Sequence, residues 1–329
     1  TAAPDGAVGQ WLIDPADVTI GAGRTGTNYY NNEALSTALN NSNITVQTDN
    51  ATGAGNGDIT ISAPVSWNAN TLTLSAYRNI NINDTLTAAG SSKLVMTSGT
   101  GGTGAIDYGL TASGFRGKVD FGARSGIGFL TINSKDYTVI TSLGAAGSKT
   151  GTDLQGMQYN LDGNYFLGAN IDASDTSNWD YGDGFSPIGS DPFSFTGTFD
   201  GGGHTITGLT INPAYSNNMG LFGYTSGAAM ANVGLKSASV IGTKNVGGLV
   251  GYMEGGSIAS SYATDSEIAG VVDHVNVFSN AGGLVGKQEG GSIVSSYATG
   301  GSVTGAGYVG GLVGYQDSVS GGTSSIVSS

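Results

Sequence analysis

The chain has 329 residues, a net charge of −13, no cysteine and only 11 lysines and arginines. So few cations cannot line a phosphate track, which argues against nucleic acid as a partner, and the same shortage argues against tight engagement with anionic membranes. No run of 18 apolar residues occurs, so membrane insertion as a helix is not expected.

Glycine is the outlier at 58 residues, with six prolines and no three-residue period, which excludes collagen. Charged residues make up 11%, against about 25% in ordinary domains. That mixture suits many short strands joined by tight turns rather than amphipathic helices. The lack of cysteine does not imply the cytosol, because a long repeat array stabilises itself by stacking.

In chain order, a helix is expected over Tyr30–Asn40, with Asn31 as its cap and Leu35 and Leu39 on one face. Period-two strands follow at Asn43–Gln47, Asp58–Ser62, Thr71–Ser75, Asn79–Asn83, Lys93–Met96, Gly128–Ile132 and Tyr137–Ile140. Ser142–Gly151 reads as a junction, and Asp153–Met157 as a second short helix.

The second half is periodic. Gly-Gly-Leu-Val-Gly recurs at Gly247–Gly251, Gly282–Gly286 and Gly310–Gly314, with a degenerate copy at Met219–Gly223. Counted from Gly220, Gly248, Gly283 and Gly311, the intervals are 28, 35 and 28 residues. A second phrase, Gly256–Thr264 and Gly291–Thr299, keeps step. The seven extra residues fall between Thr264 and Gly283, in the stretch Val271–Phe278. A 28-residue period predicts one solenoid coil per repeat. Coils stacked at strand spacing, ~4.8 Å, should align Leu249, Leu284 and Leu312 inside and place Tyr262 over Tyr297.

Trp11–Ile20, reading WLIDPADVTI, resembles a phrase of filamentous-haemagglutinin-like exoproteins, the adhesins exported by two-partner secretion. Leu154–Ala173, Gly184–Gly189 and Phe195–Ile206 resemble the segment that opens the repeats of such proteins, and the Gly-Leu-Val-Gly phrases resemble the GLUG repeat. The resemblance implies an all-β fold, a right-handed parallel β-helix with at most one or two short helices. It divides the chain into an aperiodic haemagglutinin-like segment (1–148), transition coils (149–212) and a GLUG-repeat solenoid (213–329). It also implies secretion to a Gram-negative cell surface through an outer-membrane partner transporter that reads an upstream domain. The chain stops within a repeated phrase at Ser325–Ser329, and no signal-peptide pattern precedes Thr1, so a mid-chain portion is expected.

No catalytic residue, metal or cofactor is expected. His204 lies in a turn-then-strand phrase, Asp200–Ile206, and nothing marks a partner serine for a triad. The one basic cluster, Phe115–Arg124, reads as an exposed strand carrying Arg116, Lys118 and Asp120 on one side. Asp172, Asp175, Asp180 and Asp183 could attract calcium, but their spacing fits no EF-hand, and solvated aspartates are the preferred reading.

Ligand-binding candidates are Trp179, Tyr181, Asp183 and Phe185, where rings could stack on sugars beside carboxylates, and Asp273 with His274 in the insertion. The competing reading of the first group is a plug of aromatics folded over the end of a coil. The expected function is a monomeric binding stalk of a secreted adhesin that attaches to polysaccharide or to host or bacterial cell surfaces, as in biofilm. The alternatives are a polysaccharide lyase or hydrolase, and a ligand-free spacer of a surface-displayed toxin filament.

Overall fold

The computed structural model describes residues 11–13, 16–23, 25–49, 55–213, 215–272, 278–318 and 323–327. Parallel strands dominate it, and each of two compact units, Thr1–Val139 and Ile140–Ser329, is built as a parallel β-solenoid.

Among the described residues, the parallel strands of unit one form three columns. The first stacks Trp11–Ile13, Ile44–Gln47, Thr71–Ser75, Lys93–Thr97 and Leu130–Ile132, and the second Val18–Gly21, Ile59–Ile61, Ile80–Ile82 and Ile106–Asp107. The third stacks Val65–Trp67, Thr85–Ala88 and Lys118–Asp120. Register places Ile44, Leu72, Leu94 and Leu130 in one buried row. Coil length varies, because Ile44 to Leu72 spans 28 residues, Leu72 to Leu94 only 22, and Leu94 to Leu130 as many as 36. A sequence period cannot survive that variation.

The helix over Asn32–Leu39 covers Val65–Trp67 and buries Leu35 and Leu39. Its cap forms as expected, with Asn31 Oδ1 accepting from the Ala34 amide at 2.8 Å. Residues preceding the second-column strands link one coil to the next. Asp17 Oδ1 accepts the amides of Asn56, Gly57 and Asp58, Asp58 Oδ1 accepts that of Asn79, and Asn79 Oδ1 accepts that of Ala105. These side chains supply partners to turn amides that the parallel ladders leave unpaired. Arg78 pairs with both oxygens of Asp58, at 2.8 and 2.5 Å, and this pairing holds the Asp58 carboxyl below its ordinary range.

The basic cluster keeps its expected alternation, with Gly117 and Val119 buried and Arg116, Lys118 and Asp120 on the open side, but its strand is shorter than expected. Its strand begins only at Lys118, because the preceding residues turn out of a short hairpin, Leu110–Thr111 with Gly114–Phe115. Val119 is buried between Lys118 and Asp120, which lie 3.7 Å apart. Arg124 packs 4.0 Å from the Phe129 ring centroid and donates to Ser92 O at 2.6 Å, so it serves as a structural clip.

Among the described residues of unit two, a repeat coil has five strands. For one coil these are Val250–Glu254, Ser257–Ala259, Tyr262–Thr264, Glu267–Gly270 and Asn280–Gly282, and each continues a parallel column. Between the first three strands and between the third and fourth, residues take the left-handed conformation at fixed places. They are Gly227, the pair Gly255 and Gly256, and the pair Gly290 and Gly291 at one corner, Asn232, Ser260 and Ser295 at the next, and Ser237, Asp265 and Gly300 at the third. The repeated phrases therefore encode corners as much as strands. Leu249 and Leu284 are buried, Leu312 packs against the same core, and the Tyr262 and Tyr297 rings stack at 5.2 Å and 7°. Asp153–Met157 is not an α-helix. A 3-10 turn covers Gln155–Tyr159 instead, and its Leu154 cap makes no side-chain hydrogen bond. Among the described residues, no helix is long and apolar enough to cross a membrane.

Candidate binding face of the repeat coils

The aromatic loop around Trp179 separates into two environments. Phe185 is buried and stacks on the half-buried Trp179, with centroids 6.4 Å apart at 24°, and Trp179 packs against the core. A ligand cannot reach the Phe185 ring without displacing that packing. Tyr181 and Asp183 are exposed. Trp179, Asp180 and Tyr181 depart from helical geometry within the 3-10 segment Ser174–Gly182, with positive φ at Asp180 and Tyr181 turning the Tyr181 ring into solvent. Of the nearby aspartates, Asp172 accepts from the Ser174 amide at 3.0 Å, and that bond lowers its pKa. Among the described residues no group of three or more His, Asp or Glu side chains converges on a metal position. Asp273 and His274 lie outside the described residues.

His204 is fully buried, with Nδ1 3.0 Å from Asn170 Oδ1. Nearby, Asp200 Oδ1 accepts from the Gly202 amide at 2.9 Å and from Asn232 Nδ2 at 3.0 Å. Burial outweighs both bonds and pushes the Asp200 carboxyl up to about 6.

A more organised surface lies on the strands that follow each Gly-Leu-Val-Gly corner. Register aligns Tyr224, Tyr252, Lys287 and Tyr315 in one outward row, and Ser226, Glu254, Glu289 and Asp317 in the next. The Tyr224 and Tyr252 rings stack at 4.9 Å and 4°. Tyr224 Oη donates to Glu254 Oε2, and Tyr252 Oη donates to Glu289 Oε2, so each hydroxyl reaches the coil beyond its own. Burial, followed by these carboxylates, pushes the Tyr224 phenol up to about 12 and Tyr252 in the same direction. Lys287 Nζ lies 2.5 Å from Glu289 Oε2 and 4.7 Å from the Tyr252 ring centroid.

Beside this row runs an asparagine ladder. Asn245 Nδ2 donates to Asn218 Oδ1 and Asn280 Nδ2 donates to Asn245 Oδ1, both at 2.7 Å. Between ladder and tyrosine row opens a cleft of about 700 Å³, bounded further by Ser190, Asp191, Lys244 and Tyr308. The residues forming it are distant in sequence and meet only because coils stack. The available signal was the constant offset after each corner: Tyr252 and Glu254 occupy the places that Lys287 and Glu289, and then Tyr315 and Asp317, occupy in later repeats.

The GLUG motif matches residues 242–269 and 279–304. The chain carries GLUG repeats. Each match holds all or nearly all of five consecutive strands, so one GLUG motif corresponds to one coil. Halomucin of Haloquadratum walsbyi (strain DSM 16790 / HBSQ001) is 44% identical over 97 residues, which are 28% of this chain and 1% of halomucin. The matched stretch is thus a very small part of that relative. No solved structure matches the chain.

Proposed function

We propose that this chain is a stalk segment of a secreted, surface-associated repeat protein that attaches a cell to polysaccharide, to surfaces or to other cells, and that it performs no catalysis. The observation that carries this reading is the register of the GLUG coils, which repeats one outward row of tyrosine, lysine and carboxylate side chains along the stack. Weak contacts repeated in this way gain strength through avidity. The match to the GLUG motif and the similarity to halomucin support a surface setting. Export by two-partner secretion from a Gram-negative cell, with a role in biofilm, rests on the haemagglutinin-like phrases at Trp11–Ile20 and Leu154–Ile206.

Incubating the purified chain with a polysaccharide panel tests the proposal. Retention on at least one polysaccharide, as a monomer and without release of reducing ends or unsaturated uronides, is expected. Turnover, or failure to be retained on any polysaccharide or cell surface, overturns it.

A further inference from the structure

We propose that the cleft between the tyrosine row and the asparagine ladder is a binding groove for an uncharged polysaccharide chain lying along the stacking axis. This rests on the attachment reading above and adds the site and the ligand class.

The volume, about 700 Å³, falls in the range of sites that hold several rings of a small ligand. Its walls combine flat aromatic faces with amides. The Tyr308 and Tyr315 rings lie 4.9 Å apart at 37°, and Tyr308 is 59% exposed. Such faces suit the C–H face of a pyranose, which is apolar while its rim carries hydroxyls.

The amides complement that rim. Asn218 Oδ1 already accepts from Asn245, and Asn217 Oδ1 accepts from Thr243 Oγ1. Both residues keep NH₂ groups that can donate to a ligand, and each Oδ1 retains a second lone pair. At the other end Asn280 uses one N–H of its Nδ2 on Asn245, and its carbonyl oxygen can accept from a ligand. Sugar hydroxyls both donate and accept, and a groove with donors at one end and an acceptor at the other can hold them along its length.

Charge decides the ligand class. Lys287 is neutralised by Glu289 at 2.5 Å, and Lys244 shares the cleft lining with Asp191. The groove therefore carries no excess of cations, in a chain of net charge −13. A polyuronate or sulfated glycan would meet repulsion without a compensating clamp. Successive rungs lie at strand spacing, ~4.8 Å, which directs an extended chain along the axis rather than around the coil.

The test is affinity electrophoresis and calorimetry of the full chain with neutral galactomannan, β-1,3-glucan and xyloglucan, beside polygalacturonate and alginate, at low and high sodium chloride. Binding to a neutral polysaccharide that persists in high salt is expected. The double variant Tyr308→Ala/Tyr315→Ala and the single variant Asn217→Ala should each weaken it by about tenfold or more, with the melting temperature as the folding control. Tyr159→Ala, an exposed tyrosine elsewhere in the same unit, should leave it unchanged. Neutral-glycan binding unaffected by both groove variants overturns this site while leaving attachment intact. Salt-sensitive binding to the acidic polysaccharides alone overturns the ligand class. A chain that binds no polysaccharide and no cell surface sinks the attachment reading and this inference together.

Discussion

Tyr252 donates its hydroxyl hydrogen to Glu289, a carboxylate that belongs to the next coil of the stack. Lys287 approaches the same oxygen at 2.5 Å. Lys287 first, and Tyr252 second, hold the Glu289 carboxyl below its ordinary value of 4.5. A carboxyl depressed on folding contributes stability above its unfolded pKa, and that contribution is lost as pH falls through the folded value. The urea midpoint of the wild-type chain should carry a Glu289-dependent loss as pH falls through and below about 4.5, and Glu289→Gln should remove that loss. Tyr252→Phe should cost about 1 kcal/mol at pH 7, measured by urea denaturation.

Asp200 acts in the opposite sense. Its carboxyl rises from 3.8 to about 6 on folding because burial disfavours its charge. The folded state therefore binds the extra proton, so this contribution is fully present below about pH 4 and is lost as pH rises through about 6. Asn in its place keeps an Oδ1 acceptor for the Gly202 amide and for Asn232 Nδ2. Asp200→Asn is expected to raise the melting temperature at pH 7 and to flatten its dependence between pH 4 and 6. A variant less stable than wild type at pH 7 would count against this account.

The middle rung of the asparagine ladder should matter most. Asn245 is buried at 3% exposure and both donates to Asn218 and accepts from Asn280. Asn245→Ala removes both bonds and should cost about 2 kcal/mol, read as a lower urea midpoint with an unchanged slope.

Two glycines from different copies of the Gly-Gly-Leu-Val-Gly phrase should respond differently to alanine. A Cβ on Gly251 would stand 2.4 Å from the Asn218 carbonyl carbon and 2.6 Å from the Met219 nitrogen, both backbone atoms. Relief requires separating the first and fifth columns, so Gly251→Ala should destabilise by several kcal/mol. A Cβ on Gly311 would meet nothing within 4 Å, and Gly311→Ala should change stability by less than about 0.5 kcal/mol. Thermal melts of the two variants check the contrast.

The helix cap of unit one can be tested on its own. Asn31→Ala leaves the Ala34 amide without its acceptor and should cost about 1 kcal/mol. The fluorescence of Trp67, buried on the strand beneath that helix, reports the shift in denaturation midpoint.

How legible these features were depended on where their determinants lie along the chain. Asn31 with Leu35 and Leu39 could be read directly, because a cap and two residues on one helical face are local. The row of Leu249, Leu284 and Leu312 was equally clear, since a fixed period carries it. Val65–Trp67 and Thr85–Ala88 were missed, because each follows a strand already read, Ile59–Ile61 or Ile80–Ile82, after a corner of only two or three residues that gave no separate boundary. The segment Ser174–Gly182 gave no periodic signal, and its three non-helical residues show why. The cleft was hidden for a different reason: a constant offset marks Tyr252, Lys287 and Tyr315, but Asp191, Asn218 and Tyr308 share no local pattern with them, and only stacking brings them to one surface.

The parallel columns of unit two also fix how the molecule yields to force. Backbone bonds between successive coils lie along the stack, so a pull that lifts one coil from the next loads all five columns of that interface together. Once an interface fails, it releases a defined length of chain: 28 residues for an ordinary repeat, or ~95 Å when extended, and 35 residues for the coil that carries the insertion. Stretched in this way, the coils would lengthen in equal steps with one longer one, each step absorbing work while the remaining coils stay folded.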